Sequence, residues 1–93
     1  MDFDRLKHSI SVARKMVEIG KTYNLNDSEL QELFILGFNH DIGYEFTDKG
    51  LNHNVIGGNI LKENGYKFWR EVYNHGNPNA NYSSLYLKIL NMA

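Results

Sequence analysis

Apolar residues recur at helical spacing in almost every stretch of this chain, and no segment alternates apolar and polar residues with the period of two that a half-buried strand needs. That periodicity restricts the fold to an all-α one. Residues 3 to about 20 predict a first helix. On a wheel of ~100° per residue, Phe3, Leu6, Ile10, Ala13 and Val17 share one side, and Val12, Met16 and Ile19 extend it. Asp4, Lys7, Ser11, Lys15 and Glu18 fill the opposite side. His8 falls at the edge of the apolar arc, where a side chain can face a cleft. The stretch KTYNLN breaks the pattern. Asn26 with Glu29 then reads as a capping box for a second helix. Its run of Leu30, Leu33, Phe34, Ile35, Leu36 and Phe38 implies burial on most sides. This helix is expected to end near His40 and Asp41, with Gly43 helping to stop it. After a polar loop, EFTDKG, a third helix is expected from about Leu51 to Asn64, stopped by Gly65. A fourth covers roughly Lys67 to Asn74 and ends at His75 and Gly76, with Pro78 just beyond. A loop, NPNAN, leads to a last helix from about Tyr82, with Leu85, Ile89, Leu90 and Met92 at helical spacing. The expected architecture is a compact bundle of five to six helices.

The chain has 93 residues, of which 42% are hydrophobic and 23% charged, enough apolar mass for one modest core and too much for a disordered tail. No run approaches the roughly 18 apolar residues of a membrane helix, and the charged N-terminal stretch MDFDRLKHSI is not a secretory signal. The net charge of −1 argues against a nucleic-acid binder driven by bulk charge. With no cysteine, disulfides, thiolate nucleophiles and cysteine-ligated zinc are excluded, so any metal must be held by nitrogen and oxygen. These features together point to a cytoplasmic domain.

Four histidines and one aspartate stand out: His8, His40, Asp41, His53 and His75. A histidine taken singly is more often a surface or core residue than a ligand. Here, however, every histidine lies on a predicted helix or at a helix end. His40 and Asp41 close the most apolar helix, where an ionisable pair is unfavourable unless something compensates it. A cation would do so, and neutral imidazole with carboxylate suits zinc, iron, manganese, cobalt or nickel. Adjacent helical residues point ~100° apart. They meet one cluster only at a helix end, or if one of them bridges two ions, and Asp41 has two oxygens with which to bridge. Imidazoles from other helices would complete each ion, as in metal sites within helix bundles.

The order of these residues resembles the HD-domain metal-dependent phosphohydrolase superfamily. That pattern has a histidine on an early helix (His8 in RLKHSISVARKM) and a His-Asp doublet ending a later one (His40 and Asp41 in FNHDIGYE, with the Ile42-Gly43 of the HDIG form). It often has two further histidines (His53 in HNVIGGNIL and His75 in VYNHG). The resemblance implies two divalent transition-metal ions, one on His8, His40 and Asp41 and the other on Asp41, His53 and His75. A hydroxide held between them would attack phosphorus in a small-molecule phosphoester or nucleotide, with Asp41 as the catalytic residue. Two departures stand beside it. The family's last aspartate follows a pattern like Leu-x-x-Ala-Asp, and LKILNMA stops at Ala93, so residues 1–93 are expected to be a single HD-like domain cut within its C-terminal helix. The branch that cleaves cyclic dinucleotides carries a lysine after HDIG, where this chain has Tyr44, and a longer later motif, where it reads NHGNPN.

The reading from a different class is a non-catalytic HD-type module that binds a nucleotide or a partner protein through an incomplete site. Other residues are weaker candidates. Lys49, Lys62 and Arg14 could contact phosphate, although solvated surface is their ordinary state. Glu45 or Asp48 could supply a further carboxylate, and Tyr44 a proton. Gly57 and Gly58, each unfavourable by about 1 kcal/mol relative to alanine within a helix, suggest close packing, or else room for substrate beside His53. Phe68, Trp69 and Tyr73 suggest core. A homo-oligomer is possible if an apolar face is left open.

Overall fold

A computed structural model describes residues 3–45, 52–77 and 81–93 of the chain, and for Tyr44 and Glu45 the backbone only. The polar loop after the doublet, with Asp48 and Lys49, and the tip of the loop around Pro78 lie outside the described residues. Among the described residues five α-helices follow one another: α1 (Phe3–Thr22), α2 (Asp27–Asn39), α3 (His53–Glu63), α4 (Trp69–Asn74) and α5 (Leu85–Met92). A single 3₁₀ turn, Ile42–Glu45, continues from the end of α2. No strand occurs among the described residues.

The helix ends follow from local chemistry. At the start of α2 the Asn26 side chain accepts from the Glu29 N–H at 2.8 Å, and the Glu29 carboxylate accepts from the Asn26 N–H at 3.0 Å. Both halves of the capping box are therefore made. Ser84 caps α5 by accepting from the Leu87 N–H at 3.0 Å. Gly65, at φ +75°, ends α3 where the left-handed region is needed. Gly43 does something different from what its sequence position suggests. It has no left-handed φ, and a Cβ built on it would lie 1.8 Å from the His53 carbonyl oxygen. Its bare backbone lets the start of α3 approach the end of α2.

All five helices contribute to one core, made of Val12 and Met16, Leu33 and Leu36, Leu61, Val72, and Ile89 and Leu90. Each such side chain stabilises the fold by roughly 1.5–3 kcal/mol on full burial. The helices pack chiefly as two antiparallel pairs, α1 on α2 and α3 on α4, with α5 laid against α1 and α4. At the first crossing a Cβ on Gly37 would lie 2.6 Å from the Ala13 Cα, so the two backbones come close there. Phe68 and Trp69 pack half-buried against the core.

Three expectations need correction. The buried stripe of α1 is Ser9, Val12, Ala13, Met16 and Gly20, rotated from the anticipated one, and Phe3 is exposed. Small residues at Ser9, Ala13 and Gly20 let α1 sit close on α2, and closeness, not apolarity, decides which side turns inward. Helix α2 buries Leu33, Leu36 and Gly37 but leaves Phe34, Ile35 and Phe38 substantially exposed, because only one side of it is covered. In α5 the inner residues are Leu87, Ile89 and Leu90, while Leu85 and Met92 face outward. The two adjacent glycines of α3 serve packing: a Cβ on Gly58 would meet the Tyr73 Cβ at 2.5 Å, and one on Gly57 the Gly43 nitrogen at 2.9 Å.

The sequence also gave no sign of a buried acid, Glu71 on α4. Its Oε2 accepts from the Tyr82 hydroxyl and the Ser84 hydroxyl, each at 2.6 Å, which ties the approach to α5 onto α4. Short bonds of this kind to a carboxylate are roughly twice as strong as neutral ones. Burial first, then the Glu71 and Glu32 charges, push the Tyr66 phenol up to about 12, with Asn39 opposing. Tyr86, which donates to Glu32 at 2.9 Å, is raised chiefly by burial and by that bond.

Two measurements follow. A Gly58→Ala variant should lose about 1–3 kcal/mol in urea unfolding, the usual effect of overpacking; an unchanged midpoint would mean that Tyr73 gives way freely. The neutral Tyr66 phenol is favoured by folding, so its contribution is complete below pH 10 and is lost as pH rises from 10 through 12. Unfolding free energy should therefore fall more steeply over that range for the wild type than for Tyr66→Phe.

Candidate metal centre

The five residues singled out in the sequence come together at one place, from four parts of the fold. His8 projects from α1, His40 and Asp41 follow directly on α2, His53 opens α3, and His75 caps the end of α4. At the centre is the Asp41 carboxylate, only 7% exposed. Its two oxygens face different pairs of imidazoles. Oδ2 lies 3.2 Å from His8 Nε2 and 3.1 Å from His40 Nε2. Oδ1 lies 3.4 Å from His53 Nε2 and 3.6 Å from His75 Nε2. The residues thus fall into two triads that could each hold a metal ion, His8–His40–Asp41 and Asp41–His53–His75, sharing the aspartate.

Two of the imidazoles are oriented from behind by backbone. His40 Nδ1 lies 2.6 Å from the Gly37 carbonyl oxygen, and His75 Nδ1 is bonded in the same way to the Val72 carbonyl. A carbonyl only accepts, so Nδ1 carries the proton in both rings and Nε2 is left to face the aspartate. The carbonyls come from the last turns of α2 and α4, and that of Val72 also accepts from the His75 N–H at 3.4 Å. This support was readable in principle as a histidine at a helix's C-cap, three residues after the carbonyl it meets.

The electrostatics of the cluster are one-sided. With Nδ1 protonated, a neutral His40 or His75 presents a lone pair to a carboxylate oxygen, acceptor against acceptor. His53 Nε2 and His75 Nε2 lie 3.2 Å apart, the distance of a single hydrogen bond from one ring to the other. At His40 and His75, extra protons or cations relieve the conflict with the carboxylate. Burial tends to raise the Asp41 carboxyl, but hydrogen bonds and charge from His40 and His75, when they carry those extra protons, outweigh it and hold the group well below the ordinary carboxylate range. The central group is therefore an anion at any physiological pH, and the donor set of imidazole nitrogen and carboxylate oxygen suits divalent transition metals.

Further contacts fix the elements that carry these side chains. Asn54, next to His53, donates from Nδ2 to the Tyr73 carbonyl at 3.0 Å and ties α3 to α4. The Gly76 N–H, just past His75, donates to Asn91 Oδ1 of α5 at 3.0 Å. The centre is buried on the His40 side and open on the His8 side, where the His8 side chain is 51% exposed. Of the weaker candidates, Lys62 places its Nζ 4.8 Å from the centre of the Trp69 ring, so it serves packing there.

The HD domain family model matches residues 5–91. The chain belongs to the HD-domain family, whose members are generally metal-dependent hydrolases of small phosphoesters and nucleotides. No curated protein and no solved structure matches it. No described helix is long and apolar enough to cross a membrane.

The ring orientations can be checked directly. Long-range ¹H–¹⁵N NMR correlations at neutral pH should show protonated Nδ1 for His40 and His75; a resonance pattern of Nε2-only protonation in either ring would contradict the backbone bonds described.

Proposed function

We propose that this chain is a phosphohydrolase that works with two divalent transition-metal ions bridged by Asp41, one held with His8 and His40 and the other with His53 and His75. The observation that carries this reading is the division of labour on a single carboxylate: each oxygen faces its own pair of imidazole nitrogens. Two positive charges remove the acceptor–acceptor conflict at both oxygens at once. Iron, manganese, cobalt, nickel and zinc all suit such donors.

When bound, the ions supply Lewis acidity for phosphate oxygens and lower the pKa of water so that it serves as a nucleophile near neutral pH. The chain's own residues supply the geometry. Asp41 sets the separation of the two sites through its own two oxygens, which makes it the catalytic residue of the centre. His40 and His75 are held in one orientation by the Gly37 and Val72 carbonyls, so little rearrangement is needed on binding. His8, open to solvent, marks the side on which a phosphoester or nucleotide enters. A side chain acting as nucleophile is unnecessary in such chemistry, in keeping with a chain that has no cysteine.

Metal analysis and activity test this together. Protein produced with manganese or iron in the medium should hold two ions per chain and hydrolyse 4-nitrophenyl phosphate. Asp41→Asn should lose both ions, and His53→Ala one. Substituting a supporting residue behind a metal ligand typically lowers affinity or activity 10–100-fold. Removing a ligand outright should do more, so we expect His40→Ala to lose at least about 100-fold in activity. If the wild type binds no metal, or His40→Ala alters neither metal content nor hydrolysis, the proposal is wrong.

A further inference from the structure

The two triads are built from unequal parts of the fold. His8 sits within the 20 residues of α1, and His40 follows α2 with its backbone still helical, at φ −61° and ψ −27°. The two histidines of the second triad stand where a helix begins or ends. His53 is the first residue of α3, and the N-cap before it, Asn52, makes no side-chain capping bond. His75 leaves α4, a helix of only 6 residues, at φ −64° and ψ 142°, and Gly76 then turns at φ +73°. Such ends fray when nothing outside the helix holds them.

Two asparagines supply that hold, one on each side of His75. Before it, the Tyr73 carbonyl accepts from Asn54 Nδ2 of α3 at 3.0 Å. After it, the Gly76 N–H donates to Asn91 Oδ1 of α5 at 3.0 Å. We propose that Asn54 and Asn91 are positioning residues for His75, and that through Asn91 the second ion's site, unlike the first, depends on the docking of α5. That helix carries no residue of either triad. The inference rests on the proposed two-metal reading and deepens it, by making one of the two sites conditional on a helix that supplies none of its ligands.

The bond to the Val72 carbonyl orients the His75 ring on α4, but it does not place α4 relative to its neighbours. The asparagines do. Asn54 acts together with Gly58, one turn further along the same side of α3: the amide holds the Tyr73 carbonyl, and the missing side chain lets the Tyr73 Cβ come close. The outcome is a spacing of 3.2 Å between His53 Nε2 and His75 Nε2. An ion that bonds nitrogen at ~2.0–2.1 Å spans two nitrogens about 3–3.5 Å apart, so this spacing suits a shared ion and a frayed end would not keep it. The two asparagines work in opposite senses. A carbonyl only accepts and an N–H only donates, so Asn54 presents its amide nitrogen and Asn91 its amide oxygen. Aspartate keeps the oxygen and loses the donor. One substitution should therefore break the hold at position 54 and preserve it at position 91.

Calorimetric titration with manganese tests this without relying on turnover. The first ion is identified as the one lost in His8→Ala, the second as the one lost in His53→Ala. Asn54→Asp and Asn91→Ala should each weaken the second ion about tenfold, and together up to about 100-fold, the range usual for groups that stand behind metal ligands. The first ion should be unchanged in all of them. Asn91→Asp should bind both ions as the wild type does. Asn26→Ala, which removes a bond of the same kind at the start of α2, should alter neither ion, and so separates positioning from general loss of stability. A second readout needs no metal. In ¹H–¹⁵N correlations of the metal-free protein, the protonated-Nδ1 pattern of His75 should broaden or average in Asn54→Asp and Asn91→Ala, while that of His40 stays as in the wild type. Equal weakening of both ions, a tighter second ion in Asn54→Asp, an effect of Asn26→Ala, or the same loss in Asn91→Asp as in Asn91→Ala would overturn the proposal. If the wild type holds no manganese, the two-metal reading fails by itself, and the His75 spectra still decide whether the asparagines hold that residue.

Discussion

A single buried carboxylate surrounded by four imidazoles sets the terms for the rest of the molecule. Asp41 is anionic, nearly inaccessible to water, and faced from both oxygens by ring nitrogens belonging to three other helices and to its own neighbour His40. An isolated charge at that depth would be strongly unfavourable. The fold answers by bringing α1, α2, α3 and the end of α4 to one point, and each arrives at a helix end or an edge position, where side chains can converge without a central layer of apolar atoms being interrupted. The apolar core, from Val12 to Leu90, includes none of these five side chains. On the proposed reading, ion binding and closure of the bundle are the same event energetically, since the site has no counterpart in the unfolded chain.

Much of this was legible in the residues alone, for reasons that differ from one feature to the next. The Asn26–Glu29 box is local, closed within four residues, and both of its bonds form. The histidines and the doublet were legible by their order and by their places at helix ends, and the family match over residues 5–91 agrees with that order. What escaped were features decided by distant partners. Glu71 looks like an ordinary surface acid on a short helix; its burial depends on hydroxyls of Tyr82 and Ser84, which lie on the far side of a loop. The inward side of α1 was misplaced because Ser9, Ala13 and Gly20 carry little hydropathy, yet they permit the close approach of α2 that determines which way the helix faces. The run of large apolar residues on α2 overstated its burial, since apolarity says what a side chain tolerates and not what covers it.

The centre is also unequal from one side to the other. His40 and His75 are held from behind by carbonyls, whereas His8 stands half in solvent. Rigid residues define where charge is placed, and the open residue marks where a ligand can come and go. Helix α1, which supplies His8, walls that open side.

The contact between Gly43 and the first turn of α3 has a consequence for which ion such a centre prefers. His53 begins α3, and its own carbonyl is the atom that a side chain at position 43 would strike. The spacing between the end of α2 and the first turn of α3 is thus set by backbone meeting backbone, two residues from the carboxylate, and the Asp41 and His53 side chains span the rest. The preference for a larger or smaller ion would therefore be written partly in a residue that donates nothing to it, and relaxed or tightened by drift at the glycine while every ligand stays in place.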